Sequence, residues 1–487
     1  VDRRYASNSV MRRILSLARK HGYTSLLIDE IDEAAGPLFQ EENAALRLRR
    51  PDFVGSIVHR LAMFRCLPDA APTAADFVGY VVVKRDRFGT PAQERSHVFE
   101  CVMPPVRRAE QNNFIHCSRD YRVQTTAGTF QVNGVLYAQQ NDQTFVCAHV
   151  GLRSALACLL PDADITYGRM NSLVGVDHRS RTVGAGGGLS PADIERVLQG
   201  VGVPFQKLVH EPNQNLLLPS EFQRDLYGFI ESGMPALLGF ELDQPAGPVS
   251  GAPRHLIPVF GHTLNEDTWL PEAQRAYFNG GLSYYPSENW LSTFVVHDDN
   301  FGPYYCLPRF FLRKDNLRVL FGLKRDVTPL SAVEAEAVGF DFLKGISTLR
   351  PRLGIDWYDR FAVFARAGWL VLRTLLLSRA DYLGHLRSLH TWTGGSLEQS
   401  LVDRLAPILP DSLWMIEASA PELFASSRRK FGEVILDARA PLPTPLTAAS
   451  LKAARLPGIV LFQHGGAIVT ERTALNGHTQ LFVRSAS

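Results

Sequence analysis

Tyr137-Ala138-Gln139-Gln140-Asn141-Asp142-Gln143-Thr144-Phe145-Val146-Cys147-Ala148-His149 is the stretch that decides how this chain is read. A polar, Gln-containing loop runs into a cysteine, and Leu152, Leu156 and Leu159 then continue as a helix. Cys147 is therefore expected at a helix start, where unsatisfied backbone N–H groups and the helix dipole favour thiolate over thiol. The same N–H groups, with a glutamine side chain from the loop, can receive the oxyanion of a tetrahedral intermediate. A cysteine taken at random is more often a buried core residue, and Cys158, deeper in the same helix, keeps that reading. The preceding loop is what sets Cys147 apart.

A nucleophilic thiol needs a base. His255 opens His255-Leu256-Ile257-Pro258-Val259-Phe260-Gly261, a strand leading to glycine, and Ala236 to Leu242 reads as a buried strand before it. Downstream, Val295-Val296-His297-Asp298-Asp299-Asn300 places an acid at a strand end. The order Cys147, His255, Asp298 suits thiolate attack, with the histidine as base and a carboxylate orienting its ring. Side chains alternate along a strand, so Asp298 and Asn300 share a face, Asn300 is the second candidate for orienting His255, and Asp299 is expected toward solvent. A metal site drawn from Cys147, His149, His255, His262 and His297 is disfavoured. His149 lies about 200° round the helix from Cys147, and His255 and His262 fall on opposite strand faces. No metal or cofactor is expected. Gly184 to Gly188 lacks the Lys-Ser/Thr of a phosphate loop and reads as a loop near the cleft, while His116-Cys117 reads as structural.

These residues resemble the papain-like cysteine peptidases, and within them the bacteriocin-leader (double-glycine) peptidases. In that bacterial branch a Gln precedes a Cys at a helix N-terminus. A G-x-P-V strand follows, then H-x-x-x-x-x-G, then a strand ending in Asp-Pro. Gln140, Cys147, Gly233 to Ala236, His255 to Gly261, and Asp298-Asp299-Asn300 stand at those places, and the resemblance covers about 137–312. Ala148-His149 replaces the glycine that usually follows the cysteine, and Gln139 or Gln143 could serve in place of Gln140. The resemblance implies a nucleophile helix packed on an antiparallel sheet that carries the base. Cys147 would attack an amide carbonyl of a peptide or protein, and His255 would protonate the leaving amine. Asp298 would orient His255, Gln140 with backbone N–H groups would hold the oxyanion, and water would release the acyl-enzyme. Transglutaminase-like, deamidase and acyltransferase enzymes share this order of residues. An inactive papain-like binding module is the alternative from a different class.

The rest of the chain sets the frame. Its 487 residues imply several domains, and an ordinary apolar content excludes a disordered or collagen-like chain. Lys and Arg number 51 against 49 Asp and Glu, so no global charge marks nucleic acid or an anionic membrane as a partner. The six cysteines contain no C-x-x-C pair, which excludes a zinc ribbon and fits a reducing compartment. The apolar stretch Phe361 to Leu377 is interrupted by Arg366 and Arg373, and no apolar leader opens the sequence, so a cytoplasmic location is expected. The expected class is α+β, with a central papain-like domain between an N-terminal α/β region and a C-terminal α+β domain. In numbers this is a helical region at 1–70, a β-rich region at 71–136, the peptidase-like domain at 137–312, and a domain of unread chemistry at 313–487. Ser190, Ser220 and Ser331 are expected to cap helices, and Trp357 to Ser378 reads as one or two more. The flanking regions could recognise a substrate or a protein partner.

Overall fold

Val10, Met11, Ile14, Leu15, Leu17 and Ala18 are buried along one face of helix α1 (Ser9–Lys20), which Asn8 caps by accepting from Met11 N. Gly22, at φ 79°, takes the left-handed conformation that ends it. The computed structural model describes residues 8–32, 36–67, 70–90, 93–106, 113–141, 143–144, 146–160, 164–177, 188–209, 219–241, 254–264, 284–312, 317–324, 328–347, 363–364, 367–390, 399–440, 450–464, 467–473 and 478–483. The Gly184 to Gly187 run and residues 351–362 lie outside them. The described chain is mixed α+β, with helices packed on antiparallel sheets.

The first sheet is a four-stranded meander of β1 (Ser25–Ile31), β2 (Phe53–Phe64), β3 (Phe77–Phe88) and β4 (Arg95–Val102), with helix α2 (Pro37–Arg49) between the first two strands. Strands β2 and β3 pair from Phe53–Phe88 through to Phe64–Phe77. The sheet therefore runs through position 70, and the segment expected to be helical contributes two strands. Strand β5 (Asn113–Ile115) and the hairpin of β6 (Arg119–Thr125) and β7 (Gly128–Gly134) follow.

The central region begins with α3 (Cys147–Ala157), α4 (Tyr167–Leu173) and α5 (Pro191–Gly200), the last opened by the expected Ser190–Asp193 capping box. Strand β8 (Phe205–Val209) and helix α6 (Pro219–Glu231) precede β9 (Ala236–Glu241) and β10 (Arg254–Leu264). Helix α6 already includes Ser220, so that residue is not its N-cap, although Phe222, Leu226, Phe229 and Ile230 form the expected buried stripe. After the two-residue β11 (Tyr285–Pro286) come β12 (Leu291–Asp298), β13 (Gly302–Pro308) and β14 (Leu317–Leu323). The central sheet has the order β13-β12-β10-β9-β14-β8, and β5 joins it on β10. Because β14 pairs with β9 (Leu320 opposite Leu238), the central sheet continues past the boundary expected at 312.

Helix α7 (Ala332–Ser347) leads to the C-terminal sheet, in which β11 pairs with β15 (Val371–Ser378). The chain adds α8 (Arg379–Ser388), α9 (Gln399–Leu405), β16 (Ser412–Ser419), α10 (Pro421–Ser427) and β17 (Arg429–Lys430). Strands β18 (Gly432–Asp437), β19 (Leu451–Leu456), β20 (Ile459–His464) and β21 (Ala467–Arg472) complete that sheet, and β22 (Thr479–Gln480) pairs with β17. Val371 to Ser378, expected to be helical, is thus a strand between β11 and β16. Its first seven residues are buried, so both faces are covered and no two-residue alternation marks it. No helix among the described residues is long and apolar enough to cross a membrane.

Central and C-terminal sheets share one hydrophobic core, which includes Phe229, Leu238, Trp290, Leu343, Leu372 and Trp414. Charge runs through the same interior. Arg373 on β15 donates to both oxygens of Glu231 at the end of α6 (3.2 and 2.7 Å), and to Glu417 on β16 at 2.9 Å. Lys430, buried with them, sits 2.6 Å from Glu417 and 3.0 Å from Glu433. Removing one member strands the others in a low dielectric. Arg373→Met keeps the apolar bulk but takes the guanidinium from buried Glu231, leaving it Tyr227 and His262, and is expected to lower stability by about 3–5 kcal/mol in urea denaturation.

Candidate active site

Helix α3 lies against β10 because Gly151 carries no side chain. A Cβ there would stand 3.3 Å from Leu256 O and 3.6 Å from Pro258 Cδ. One turn earlier on the same face is Cys147, the first residue of the helix and half-buried. Its Sγ lies 3.2 Å from His255 Nδ1 and 3.8 Å from Leu256 O. The helical ladder begins with Val150 N donating to Val146 O, so the N–H groups of Cys147, Ala148 and His149 precede it. Buried Arg153 ties the same helix to β4 by donating to Glu100 at 2.9 Å, and binds Asp164 through two further bonds.

His255 stands opposite Phe240 of β9, whose ring meets the imidazole edge-on at 5.3 Å between centroids. On the other side of the ring, His255 Nε2 lies 3.3 Å from Asp298 Oδ2 and 3.2 Å from Asp299 Oδ1. Asp298 ends β12, and its Oδ1 accepts from Asn300 N at 2.8 Å and Phe301 N at 3.1 Å. That turn leaves Oδ2 free to face the imidazole. Tyr137 also donates to the Asp298 carbonyl at 3.2 Å.

Two expectations are corrected here. Asp299 is buried beside His255 rather than turned to solvent, while Asn300 is exposed and donates to Asp299 Oδ1 at 3.3 Å instead of touching the ring. Alternation holds only within a strand, and the chain turns immediately after Asp298. The Asp298-Asp299-Asn300 run at a strand end was the available signal, since polar turn residues can swing neighbours to one side.

The charges follow from this geometry. Burial disfavours the His255 imidazolium, but the bonds to Asp298 and to the Cys147 sulfur, with the charges of Cys147 and Asp299, push its pKa up to about 11. Burial likewise opposes the Asp298 carboxylate, which His255 and the two turn N–H groups nevertheless hold below its ordinary value. The arrangement can therefore support a thiolate–imidazolium pair with carboxylates behind it. His297, one residue before Asp298, is buried and pushed down to about 3, so its neutral ring donates from Nδ1 to Leu136 O at 3.1 Å.

Gln140 is half-buried in the loop, with no hydrogen bond to Cys147 or His255. Gln139 is committed elsewhere, since its Oε1 accepts from Val98 N at 3.0 Å and its own N–H donates to Val98 O at 2.8 Å. Gln143 donates its backbone N–H to Asn141 Oδ1 at 3.0 Å.

Donor atoms of Cys147, His255 and Asp299 lie within 4.8 Å of one another, a set that could hold a metal ion. Ring geometry argues against it, because the thiol approaches Nδ1 while both carboxylates approach Nε2, and one nitrogen must serve one ion. His149 and His262 lie away from this cluster. His149 meets Asn171 at 2.9 Å, and His262 meets Glu231 at 2.9 Å. Comparisons with family models, curated proteins and solved structures give no significant match.

Imidazole NMR checks the charge assignment. His255 should keep its imidazolium signature to about pH 10, while His297 stays neutral down to about pH 4. Cys147→Ser should lower the His255 pKa, since two of the effects that raise it come from the sulfur. An unchanged value would show that the thiolate contributes nothing to it.

Proposed function

We propose that this chain is a cysteine peptidase of papain-like arrangement that hydrolyses amide bonds of a peptide or protein. The carrying observation is a connected line from Cys147 Sγ to His255 Nδ1 (3.2 Å) and from His255 Nε2 to Asp298 (3.3 Å). It joins a helix start, a strand start and a strand end that are far apart in sequence. A helix bearing the thiol, laid on an antiparallel sheet bearing the imidazole, supports the papain-like reading.

The Cys147 thiolate adds to the amide carbonyl, forming the C–S bond. Gln140 and the first N–H groups of α3 stabilise the oxyanion. Collapse breaks the C–N bond as His255 gives its Nδ1 proton to the leaving amine, and a thioester remains. His255, now neutral, takes a proton from water as that water attacks the thioester; collapse breaks the C–S bond, the acid product leaves, and the Cys147 thiolate is restored beside the His255 imidazolium. Asp298, with Asp299 beside it, holds the ring for both steps.

The first test is the rate of Cys147 alkylation by iodoacetamide against pH, with the modified site identified by mass spectrometry. Selective reaction below about pH 7, lost in His255→Ala, is the expected outcome. An inert Cys147, or one that titrates as a free thiol whatever occupies 255, would favour a binding module over an enzyme. Peptide-library digestion then reads turnover. Cys147→Ser should abolish cleavage, and Asp298→Asn should lower kcat by at least about tenfold. If Asp299→Asn lowers kcat as much as Asp298→Asn does, the two carboxylates share the orienting role.

A further inference from the structure

The loop that enters α3 is held from outside its own region. Asn141 is buried, and its Oδ1 accepts from Gln143 N, Thr144 N and Thr144 Oγ1, each at 3.0 Å. Its Nδ2 donates to Glu42 Oε1 at 2.7 Å. Glu42 belongs to α2 and is only 5% exposed. Its other oxygen takes Lys84 Nζ at 2.8 Å, and His97 Nε2 lies 3.3 Å from Oε1. Burial would raise the Glu42 pKa, but Lys84 and then His97 hold the carboxyl well below its ordinary range.

An ionised carboxylate only accepts. The Asn141 amide can therefore point one way, with Nδ2 to Glu42 and Oδ1 into the loop. On the far side of Gln140, Gln139 is bonded to both the N–H and the C=O of Val98 on β4. Gln140 thus sits between two anchors that both belong to the N-terminal region.

We propose that Glu42 is a positioning residue: acting through Asn141, it holds Gln140 where that side chain can meet an oxyanion formed at Cys147. The inference rests on the thiol-hydrolase reading of the site. It makes the N-terminal sheet and α2 part of the reaction machinery, although neither supplies a reacting group.

Two probe reactions separate this role from a merely structural one. Iodoacetamide reacts by displacement: an S–C bond forms, iodide leaves, and no oxyanion arises. p-Nitrophenyl acetate reacts by addition to its carbonyl. The C–S bond forms, the tetrahedral oxyanion collapses, p-nitrophenolate leaves, and an acetyl thioester remains. Both rates at Cys147 are measured on the full chain for wild type, Glu42→Gln, Asn141→Asp and the double variant.

Asn141→Asp keeps an acceptor for the loop but sets one carboxylate against another. In the double variant the new amide donates to the new carboxylate, so the bond returns with its polarity reversed. Alkylation is expected to stay within about twofold throughout. Acylation should fall at least about tenfold in Asn141→Asp and recover to within about threefold in the double variant. Wild-type acylation by Asn141→Asp, a parallel loss of both rates, or no recovery in the double variant would each overturn the proposal. A wild-type Cys147 that alkylates no faster than a free thiol would instead remove the thiol-hydrolase reading, and the positioning role with it. Should Asn141→Asp fail to fold, Asn141→Ala decides by the same two rates, again with acylation alone expected to fall.

Discussion

The close approach of α3 to β10 at Gly151 and Leu256 is the constraint on which the site depends. It sets the height of the helix over the sheet, and so places the helix start beside the first residues of β10. The second half of the alignment comes from the sheet itself. Strand β12 pairs with β10 from Leu291–Leu264 to Val296–Val259, and the turn that follows returns Asp298 and Asp299 to the His255 ring. Neither fixation alone would suffice. Helix contact without strand register leaves the imidazole unoriented, and register without the glycine contact leaves the thiol out of reach.

The flanking regions bear on this alignment differently. The N-terminal sheet and α2 reach it through polar contacts (Val98 on Gln139, Glu42 on Asn141, Glu100 on Arg153) and through a core in which Val58, Val82 and Phe99 pack with Val150 and Leu152 of α3 and Leu256 of β10. The C-terminal sheet reaches it through packing, since α6 and the back of the central sheet share its core. The ion pairs at that second junction, around Glu231 and Arg373, are fully buried and meet only because both sheets are complete. Charges so placed penalise partial structures more than they stabilise the whole, because desolvation offsets much of their attraction. They favour the docked arrangement over loosely packed alternatives.

Cys147, His255 and Asp298 were legible because each sits where a periodic segment begins or ends, and such boundaries carry local marks. Asp299 was missed because strand alternation was extended one residue past the end of β12. Val371 to Ser378 was misread because a strand covered on both faces shows no two-residue period, and a run of leucines then suits a helix as well. The limits of the central sheet were hidden for another reason. The partner of Leu320 is Leu238, and no composition change near residue 312 reports a pairing across that distance. The Glu42–Asn141 bond is equally silent in sequence, since a glutamate inside an ordinary helix reads as a solvated residue.

The high pKa of His255 raises a chemical difficulty that the geometry also resolves. An imidazolium held near 11 is a weak acid, and a weak acid is a poor proton donor to a leaving amine at neutral pH. Part of that elevation comes from the Cys147 sulfur, through a hydrogen bond and through charge. In the proposed reaction the C–S bond that forms the tetrahedral intermediate ends the sulfur's charge and its bond to the ring, so both contributions are gone before His255 gives up its proton. The His255 pKa then falls toward the value its carboxylates alone sustain. The ring becomes a better acid for the departing amine, and afterwards, once neutral, a base for water. The carboxylates must be strong enough to hold the ring without keeping its proton. Asp298 spends one oxygen on the N–H groups of Asn300 and Phe301, and Asp299 takes a bond from Asn300, so each offers His255 a tempered charge. Two carboxylates at Nε2 thus hold the ring at less cost in acidity than their formal charge implies.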